Sequence, residues 1–180
     1  MSRQYFADAL CEPPIANLTA VTAVTETILW NVSNFSPIAA YDARPGKIWR
    51  MTAGGIMSTS AVASTLTITP RFGLTVAAGI TMGASIAQTV PPSLSAVAWY
   101  MELTAICRTV GAPGVNSTVM GTGLFTCAGT AATAGSAFVL SFGGTSAAVD
   151  VSIATGLCIG WTLTQAGTVT PQWIVMQSLN

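Results

Sequence analysis

The sequence contains no histidine and very little charge. Six residues are Lys or Arg and six are Asp or Glu, so 7% of the chain is charged and the net charge is zero, whereas soluble proteins average about 25%. The absence of histidine excludes the commonest general base and the Ser–His and Cys–His nucleophile pairs. The zero net charge also predicts no nucleic-acid partner, because such proteins usually present a broad basic field.

Long apolar runs are missing as well, although 51% of the residues are apolar. In residues 51–70, for example, the large aliphatic side chains are separated by Ser and Thr. A spanning helix needs about 20 predominantly apolar residues, and the N-terminal residues lack the apolar core of a signal peptide. We therefore expect no membrane partner and a protein that is made and kept in a cytoplasm.

The four cysteines, Cys11, Cys107, Cys127 and Cys158, are scattered and form no C-x-x-C pair. Without histidine, a zinc site would need all four thiolates or help from carboxylates, at unusual spacings. The favoured interpretation is that the thiols are free, buried and packed as small hydrophobic groups. The sequence thus predicts no metal and no cofactor.

Carboxylates are the remaining catalytic candidates, and a two-carboxylate glycosidase is the enzyme class they could support. Only Glu102 and Asp150 both fall in strand-like segments. The favoured alternative is that Glu102 pairs with Arg108 or another base and that Asp150 ends a strand or meets a turn. There is no G-x-S-x-G elbow, and the Gly pairs in "TAGGIM" and "FGGTS" lack the partners of a phosphate loop. We predict a protein that is not an enzyme, with those glycines at turns or bulges.

The stretch "STLTITPRFG", residues 64–73, has the alternation of a half-buried β-strand. Leu66 and Ile68 fall on one face, and the threonines between and beside them fall on the other. Proline lacks the N–H that a central strand donates, so Pro70 is expected to end this strand.

Similar signals follow one another along the rest of the chain. "AVAWYMELTAICRTV" places Trp99, Met101, Leu103, Ala105 and Cys107 on one side, opposite Tyr100, Glu102, Thr104, Ile106 and Arg108. Roughly nine or ten short strands, separated by Gly, Pro, Asn or Ser and without a convincing helix, are typical of a sandwich or barrel. The sequence predicts an all-β fold: a jelly-roll-like two-sheet β-sandwich over residues 17–180, preceded by a short N-terminal arm, residues 1–16.

The leader 1–16 is polar and aromatic and ends at two prolines. Tyr5, Phe6, Ala9 and Leu10 could form one or two turns of amphipathic helix before the prolines prevent continuation. Two interpretations remain open: a frayed terminus, or an arm that docks on a neighbouring protein.

The basic residues are unevenly placed. Arg44, Lys47, Arg50 and Arg71 fall close together, whereas Asp150 is the only charged residue after Arg108. A basic band near the Arg44–Arg50 hairpin could face an acidic partner or a neighbouring copy. The alternative is a few solvated charges at one end of the sandwich.

The strand segments "IWRMTAGGIMS", "STLTITPRFG", "AWYMELTAICRTVG", "VMGTGLF" and "GLCIGWTLTQAGTVTPQWIVMQSLN" resemble small all-β virion proteins of tailed bacteriophages over roughly residues 46–180. The resemblance implies a mostly jelly-roll-like, often trimeric protein that decorates (cements) the capsid or forms a head-fibre or tail-fibre tip. It implies no active site.

The resemblance predicts a structural protein on the capsid exterior, which binds the major capsid protein as a homotrimer and stabilises the shell. Low charge and high apolar content independently favour self-association. The alternative is a receptor- or glycan-binding fibre-tip or tail module. The residues expected to attach the protein to the capsid are Arg3, Tyr5, Phe6, Leu10, Arg44, Lys47 and Arg50.

Overall fold

In the computed structural model, the chain forms an antiparallel all-β sandwich. The structure describes residues 7–11, 25–29, 38–73, 79–83, 87–112, 117–128 and 137–179. These residues form eleven strands and no helix: β1 Ala7–Cys11, β2 Thr27–Ile28, β3 Ile48–Thr59, β4 Ser64–Phe72, β5 Ile80–Thr81, β6 Gln88–Val90, β7 Val97–Thr109, β8 Thr118–Ala128, β9 Ala137–Thr145, β10 Leu157–Leu163 and β11 Gly167–Leu179. The predicted all-β two-sheet fold is confirmed.

The strands are divided between two sheets. The six-stranded sheet has the order β1-β11-β3-β7-β8-β9, and the five-stranded sheet has the order β2-β10-β4-β5, with β6 also paired to β4. The chain crosses between the sheets in the short connections after β3, β6 and β10. By contrast, β7, β8 and β9 form a meander within one sheet.

The core lies between the sheets and follows the predicted alternation. The five inward positions of β7, from Trp99 to Cys107, are all buried, as the sequence predicts. Trp161 of β10 meets them from the opposite sheet, with its ring centroid 5.1 Å from Phe125 and 6.3 Å from Trp99. Burial of each large aromatic side chain contributes about 3 kcal/mol in transfer free energy, and tilted ring pairs add somewhat to this. Aromatic contacts therefore join the two sheets.

Pro70 does not end β4, so this prediction is wrong. The strand continues to Phe72, with Pro70 opposite Ile159 of β10. The N–H and C=O of one strand residue point to the same neighbouring strand. The carbonyl of Pro70 accepts a hydrogen bond from the Met82 N–H at 2.8 Å, beside the two-residue strand β5. An N–H at position 70 would therefore point towards β5, so proline at this position removes no hydrogen bond from the β4–β10 ladder.

The described part of the leader is also a strand and not a helical turn. Residues 7–11 pair antiparallel with β11, Ala7 opposite Leu179 and Ala9 opposite Gln177. A single helical turn fixes several residues for one hydrogen bond, whereas an existing sheet edge offers a row of partners. The expectation of helix is thus wrong for these five residues. Arg3, Tyr5 and Phe6 lie outside the described residues.

Candidate interaction surface

The outer surface of the six-stranded sheet carries exposed apolar side chains. We call the outward-facing residues of β3, β7, β8, β9 and β11 the open face. Its most exposed large hydrophobic side chains, with their exposed fractions, are Met120 38%, Tyr100 40%, Leu124 43% and Val139 47%. Leu124 lies opposite Glu102 in the ladder, and Val139 lies opposite Thr126. These side chains therefore form part of one continuous sheet surface.

The open face has the size of a protein interface. Five strands about 4.8 Å apart, each contributing about ten residues of about 3.3 Å, cover roughly 800 Å². A stable interface of standard size buries about that much surface on each partner. Tyr, Trp, Met and Arg, all present on this face, are the residue types enriched in interfaces.

A tryptophan lies over a glycine at the centre of the open face. A Cβ atom on Gly54 would lie 2.6 Å from the indole nitrogen of Trp173, so a larger residue at position 54 would displace the ring. A β-bulge between Pro171 and Trp173 interrupts the register of β11 at this point, and bulges often redirect a side chain. The ring centroid of Trp173 lies 6.0 Å from that of Tyr100. The two aromatic side chains thus form one platform.

A charge-neutral hydrogen-bond network adjoins this platform. The Tyr100 hydroxyl donates to Glu102 Oε2 at 3.1 Å, and Arg50 Nε and Nη2 donate to Glu102 Oε1 at 3.1 and 2.7 Å. Partial burial, and next the hydrogen bond to Glu102, raise the pKa of Tyr100. The basic partner of Glu102 is therefore Arg50 and not Arg108.

The two carboxylates considered for glycoside hydrolysis belong to separate networks. Glu102 is held by Arg50 and Tyr100 on the open face. Asp150 lies between β9 and β10, where its Oδ1 accepts hydrogen bonds from the Ser152 N–H at 2.8 Å and the Ser152 hydroxyl at 2.6 Å. The prediction that Asp150 meets a turn is confirmed.

The residues of the expected basic band have different environments. Arg44 is exposed in the connection before β3. The Lys47 side chain is only 5% exposed, with its Nζ 3.4 Å from Asp42 Oδ1. Arg50 lies on the open face in its ion pair with Glu102. A protein partner could therefore reach the cationic groups of Arg44 and Arg50, whereas the ammonium group of Lys47 is buried.

The outer surface of the five-stranded sheet carries a third ion pair, between Arg71 and Glu26. Arg71 Nε and Nη2 donate to the two carboxylate oxygens of Glu26, both at 2.7 Å, and Arg71 Nη1 donates to the Gly79 carbonyl at 2.8 Å. We call the Glu26–Arg71 pair the clasp. It joins β4 to the residue that precedes β2, and the separate hydrogen bond to Gly79 joins β4 to the residue that precedes β5. The hydrogen bond to Glu26 raises the pKa of Arg71.

The clasp needs small residues beneath it. A Cβ atom on Gly160 of β10 would collide with the Glu26 carboxylate, so glycine lets this side chain lie flat on the sheet. Cys158, opposite Arg71 in the ladder, is fully buried. Burial raises the pKa of its thiol to about 12.

The prediction of free, buried thiols is confirmed for Cys107, Cys127 and Cys158. Burial raises the pKa of all three and brings that of Cys127 to about 11. The Cys11 side chain lies outside the described part of the chain. Within that part, no group of three His, Cys, Asp or Glu residues could hold a metal ion, and no helix is long and apolar enough to cross a membrane.

A shallow depression of about 350 Å³ lies between β8 and β9, lined by residues 120–122 and 141–144. None of these residues is charged, so the depression offers shape and apolar contact but no acid–base group. Comparison of the chain with family models, with curated proteins and with solved structures finds no match. Among the surfaces formed by the described residues, the open face differs from the others in its row of exposed apolar side chains on neighbouring strands.

Proposed function

We propose that this protein is a structural component of a bacteriophage virion, a decoration protein that binds the outside of the capsid as a trimer and stabilises it. The open face is the observation that supports this proposal most strongly. It combines interface-sized area with exposed apolar and aromatic side chains, and its one close ion pair, Arg50–Glu102, is neutral as a unit. Such a face suits a protein that acts by burying surface and not by bond chemistry.

A second copy of the chain is the partner that best fits the open face. The chain is neutral at pH 7, so copies do not repel one another as strongly charged molecules would. Arg50 and Glu102 compensate each other, which leaves the positive charge of Arg108 at the end of β7, so the face requires a partner surface with at most a weak negative charge. In a trimer, the open face of each subunit packs on a flank of the next around a closed three-fold ring.

The remaining surfaces of such a trimer are available to the capsid. Arg44 is exposed near one end of the sandwich, and the leader carries Arg3, Tyr5, Phe6 and Leu10. These residues are the proposed contacts with the major capsid protein. In this assignment, Lys47 supports the connection that carries Arg44 through its ion pair with Asp42, and Arg50 belongs to the contact between copies.

Analytical ultracentrifugation and electron microscopy test the proposal together. The purified chain should sediment as a trimer at micromolar concentration, and it should add external density to capsids that lack it. An Arg44→Glu variant should still form the trimer but bind such capsids more weakly. A stable monomer that adds no density would overturn the proposal.

The platform also supports a second candidate, the receptor- or glycan-binding fibre tip. Aromatic rings pack against the apolar faces of ligands, while a few placed polar groups fix orientation. Trp173 and Tyr100 provide the rings, and Glu102 and Arg50 provide hydrogen-bonding groups beside them. Saturable glycan binding that is lost in Trp173→Ala and retained in Val139→Ala would favour this function over decoration.

A further inference from the structure

Two successive turns before β3 differ in the residue that takes a left-handed backbone. The second turn, residues 44–47, is closed by a backbone hydrogen bond of 2.9 Å between its last and first residues, and its third residue is Gly46, with a φ of 85°. The first turn, residues 39–42, is closed in the same way at 3.2 Å, but its third residue is Tyr41, with a φ of 61°. A turn with a positive φ at its third residue favours Gly or Asn there. Tyr41 therefore has a backbone conformation that its own side chain disfavours.

Packing within the chain does not explain this tyrosine either. Tyr41 is 72% exposed, the largest fraction among the exposed large hydrophobic residues that the structure describes. Gly or Asn at this position would relieve the backbone and would expose less apolar surface. Residues that break a local rule without a gain in the folded chain are found at functional sites. We therefore expect the tyrosine ring to make its contacts outside the chain.

A second exposed apolar side chain, that of Ile153, lies close to this turn. The Tyr41 N–H donates to the Val151 carbonyl at 2.9 Å, and Ile38 and Thr155 exchange two backbone hydrogen bonds of 2.6 and 2.9 Å. Ile153 lies between these two contact points along its segment and is 59% exposed. The backbone contacts thus hold both apolar side chains at the end of the sandwich where β3 and β10 begin.

Two guanidinium groups lie at the same end. Arg44 follows Tyr41 in the connection to β3 and is exposed. Arg108, which is also exposed, lies where the open face meets this end. It directly follows Cys107, whose carbonyl accepts a hydrogen bond from the Gly46 N–H at 2.9 Å. The two apolar side chains are therefore accompanied by exposed cationic groups.

The carboxylates at this end are held within their own loops. Asp42 Oδ1 lies 3.4 Å from the Nζ of the buried Lys47. Asp150 Oδ1 accepts hydrogen bonds from the Ser152 N–H and hydroxyl at 2.8 and 2.6 Å. The charge that this end presents to a partner is thus mainly that of the guanidinium groups, which complements carboxylates.

We infer that Tyr41 and Ile153 are the apolar anchors of an interface with an acidic protein surface. This inference rests on the proposed function and specifies the capsid surface that the protein binds. That surface offers an apolar recess for the two side chains, with Asp or Glu residues within reach of Arg44 and Arg108. Tyr and Arg are enriched among the residues that contribute most to protein interfaces, where apolar anchors supply affinity and charges supply orientation.

A pair of aspartate substitutions tests the position of the interface. Ile153→Asp has a matched control in Val62→Asp, because Val62 is also an aliphatic residue with 59% exposure but lies in the β3–β4 connection at the opposite end of the sandwich. The full-length variants are titrated against capsids that lack the protein. Ile153→Asp should weaken binding about tenfold or more, and Val62→Asp should leave it unchanged. Equal binding of the two variants would overturn the inference.

The sign of the partner's charge is tested at the same position. Ile153→Lys removes the same apolar contact as Ile153→Asp but adds a charge that attracts carboxylates, so it should weaken binding less. Binding of the lysine variant that is as weak as that of the aspartate variant, or weaker, would overturn the acidic partner.

The role of the tyrosine ring is tested by Tyr41→Asn, since Asn accepts a left-handed backbone. Binding to the capsids should weaken about tenfold, while the midpoint of urea denaturation is not lowered and the trimer is retained. A lowered midpoint would show that the ring serves the fold and would overturn its role as an anchor. Undiminished capsid binding would also overturn that role and leave the proposed function intact. If the unmodified trimer itself does not bind these capsids, the proposed function fails and the inference fails with it.

Discussion

The outer faces of the two sheets differ in how much apolar surface their side chains expose to water. The five-stranded sheet presents partly buried threonines, among them Thr65, Thr67 and Thr162, and carries the clasp. The open face of the six-stranded sheet instead leaves Leu124 and Val139 more than 40% exposed. The clasp pairs charges of the first face within one chain. Covering the second face would remove exposed apolar side chains from water. Under the proposed self-association, this difference selects the open face as the contact between copies.

Each face carries one Arg–Glu ion pair, and the two pairs differ in their exposure to water. In the clasp, the Arg71 and Glu26 side chains are 14% and 25% exposed, whereas Arg50 and Glu102 are 44% and 32% exposed. Water screens the second pair more strongly, and exposed pairs contribute only about 0–1 kcal/mol to stability. Breaking a more buried pair costs more, because one charge is left without its partner. The two pairs thus provide matched substitutions.

The largest expected effect is on self-association. Leu124→Asp places a carboxylate in the middle of the open face and should weaken the association constant at least 100-fold, because the charge would be buried without a partner at the interface. Thr67→Asp, on the outer side of β4, is the matched control and should leave association unchanged. Sedimentation velocity over a concentration series measures both. Equal effects of the two variants would show that the open face is not the contact.

The next effect is on the free energy of unfolding. Glu26→Gln should lower it by about 2 kcal/mol, because Arg71 keeps its burial but loses a charged acceptor. Glu102→Gln should lower it by less than about 1 kcal/mol. Urea denaturation of both variants, made under conditions that keep the chain monomeric, measures the difference. A larger loss in Glu102→Gln would reverse the comparison of the two faces.

A third effect concerns access to Cys158 beneath the clasp. Thiol reagents attack the thiolate, and a pKa of about 12 leaves almost none at pH 8. In a Cys11→Ser background, Glu26→Gln should raise the rate of Cys158 labelling about tenfold, a change of about 1.4 kcal/mol in the opening equilibrium. Mass spectrometry identifies the labelled residue, and Cys127, on the inner face of β8, serves as the internal control.

The same thiols predict how stability depends on pH. Their folded pKa values are raised, and the unfolded thiols, near pH 8.5, ionise first. The stability associated with the neutral thiols is therefore fully present below about pH 8.5 and decreases as the pH rises towards the folded values. Cys158→Ala should reduce this alkaline loss, which denaturation at pH 8 and pH 10 would detect.

Much of the fold could be predicted because alternation is a local property. The sequence of β7 identifies its buried positions from Trp99 to Cys107, and the β4 sequence identifies Leu66 and Ile68 in the same way. The end of β4 was predicted wrongly at Pro70, because the effect of a proline depends on which neighbouring strand faces its nitrogen. That information lies in the sheet order and not in the stretch itself.

The interaction surface was harder to predict, since it depends on pairings between distant segments. Arg50 and Glu102 are 52 residues apart, and neither one's sequence context indicates the other. Tyr100 meets Trp173 only because β7 and β11 both border β3. The alternation of β7 places Tyr100, Glu102 and Ile106 on one surface and could have identified part of the open face. The sequence does not show, however, that no further layer of the described residues covers this surface.

The smallest expected effect is that of the Tyr100 hydroxyl. Tyr100→Phe keeps the ring beside Trp173 and removes only the hydrogen bond to Glu102, so the free energy of unfolding should fall by about 0.5 kcal/mol at pH 7. Tyr41→Phe, at a 72% exposed position, is the control and should change it by less. Because the folded pKa of Tyr100 is raised, its neutral form is stabilised below about pH 10, and the advantage over Tyr100→Phe should shrink as the pH rises beyond that value. Self-association should survive in Tyr100→Phe, since the apolar ring is retained. Dissociation as complete as that expected for Leu124→Asp would mean that the hydroxyl network, and not apolar burial, holds the copies together.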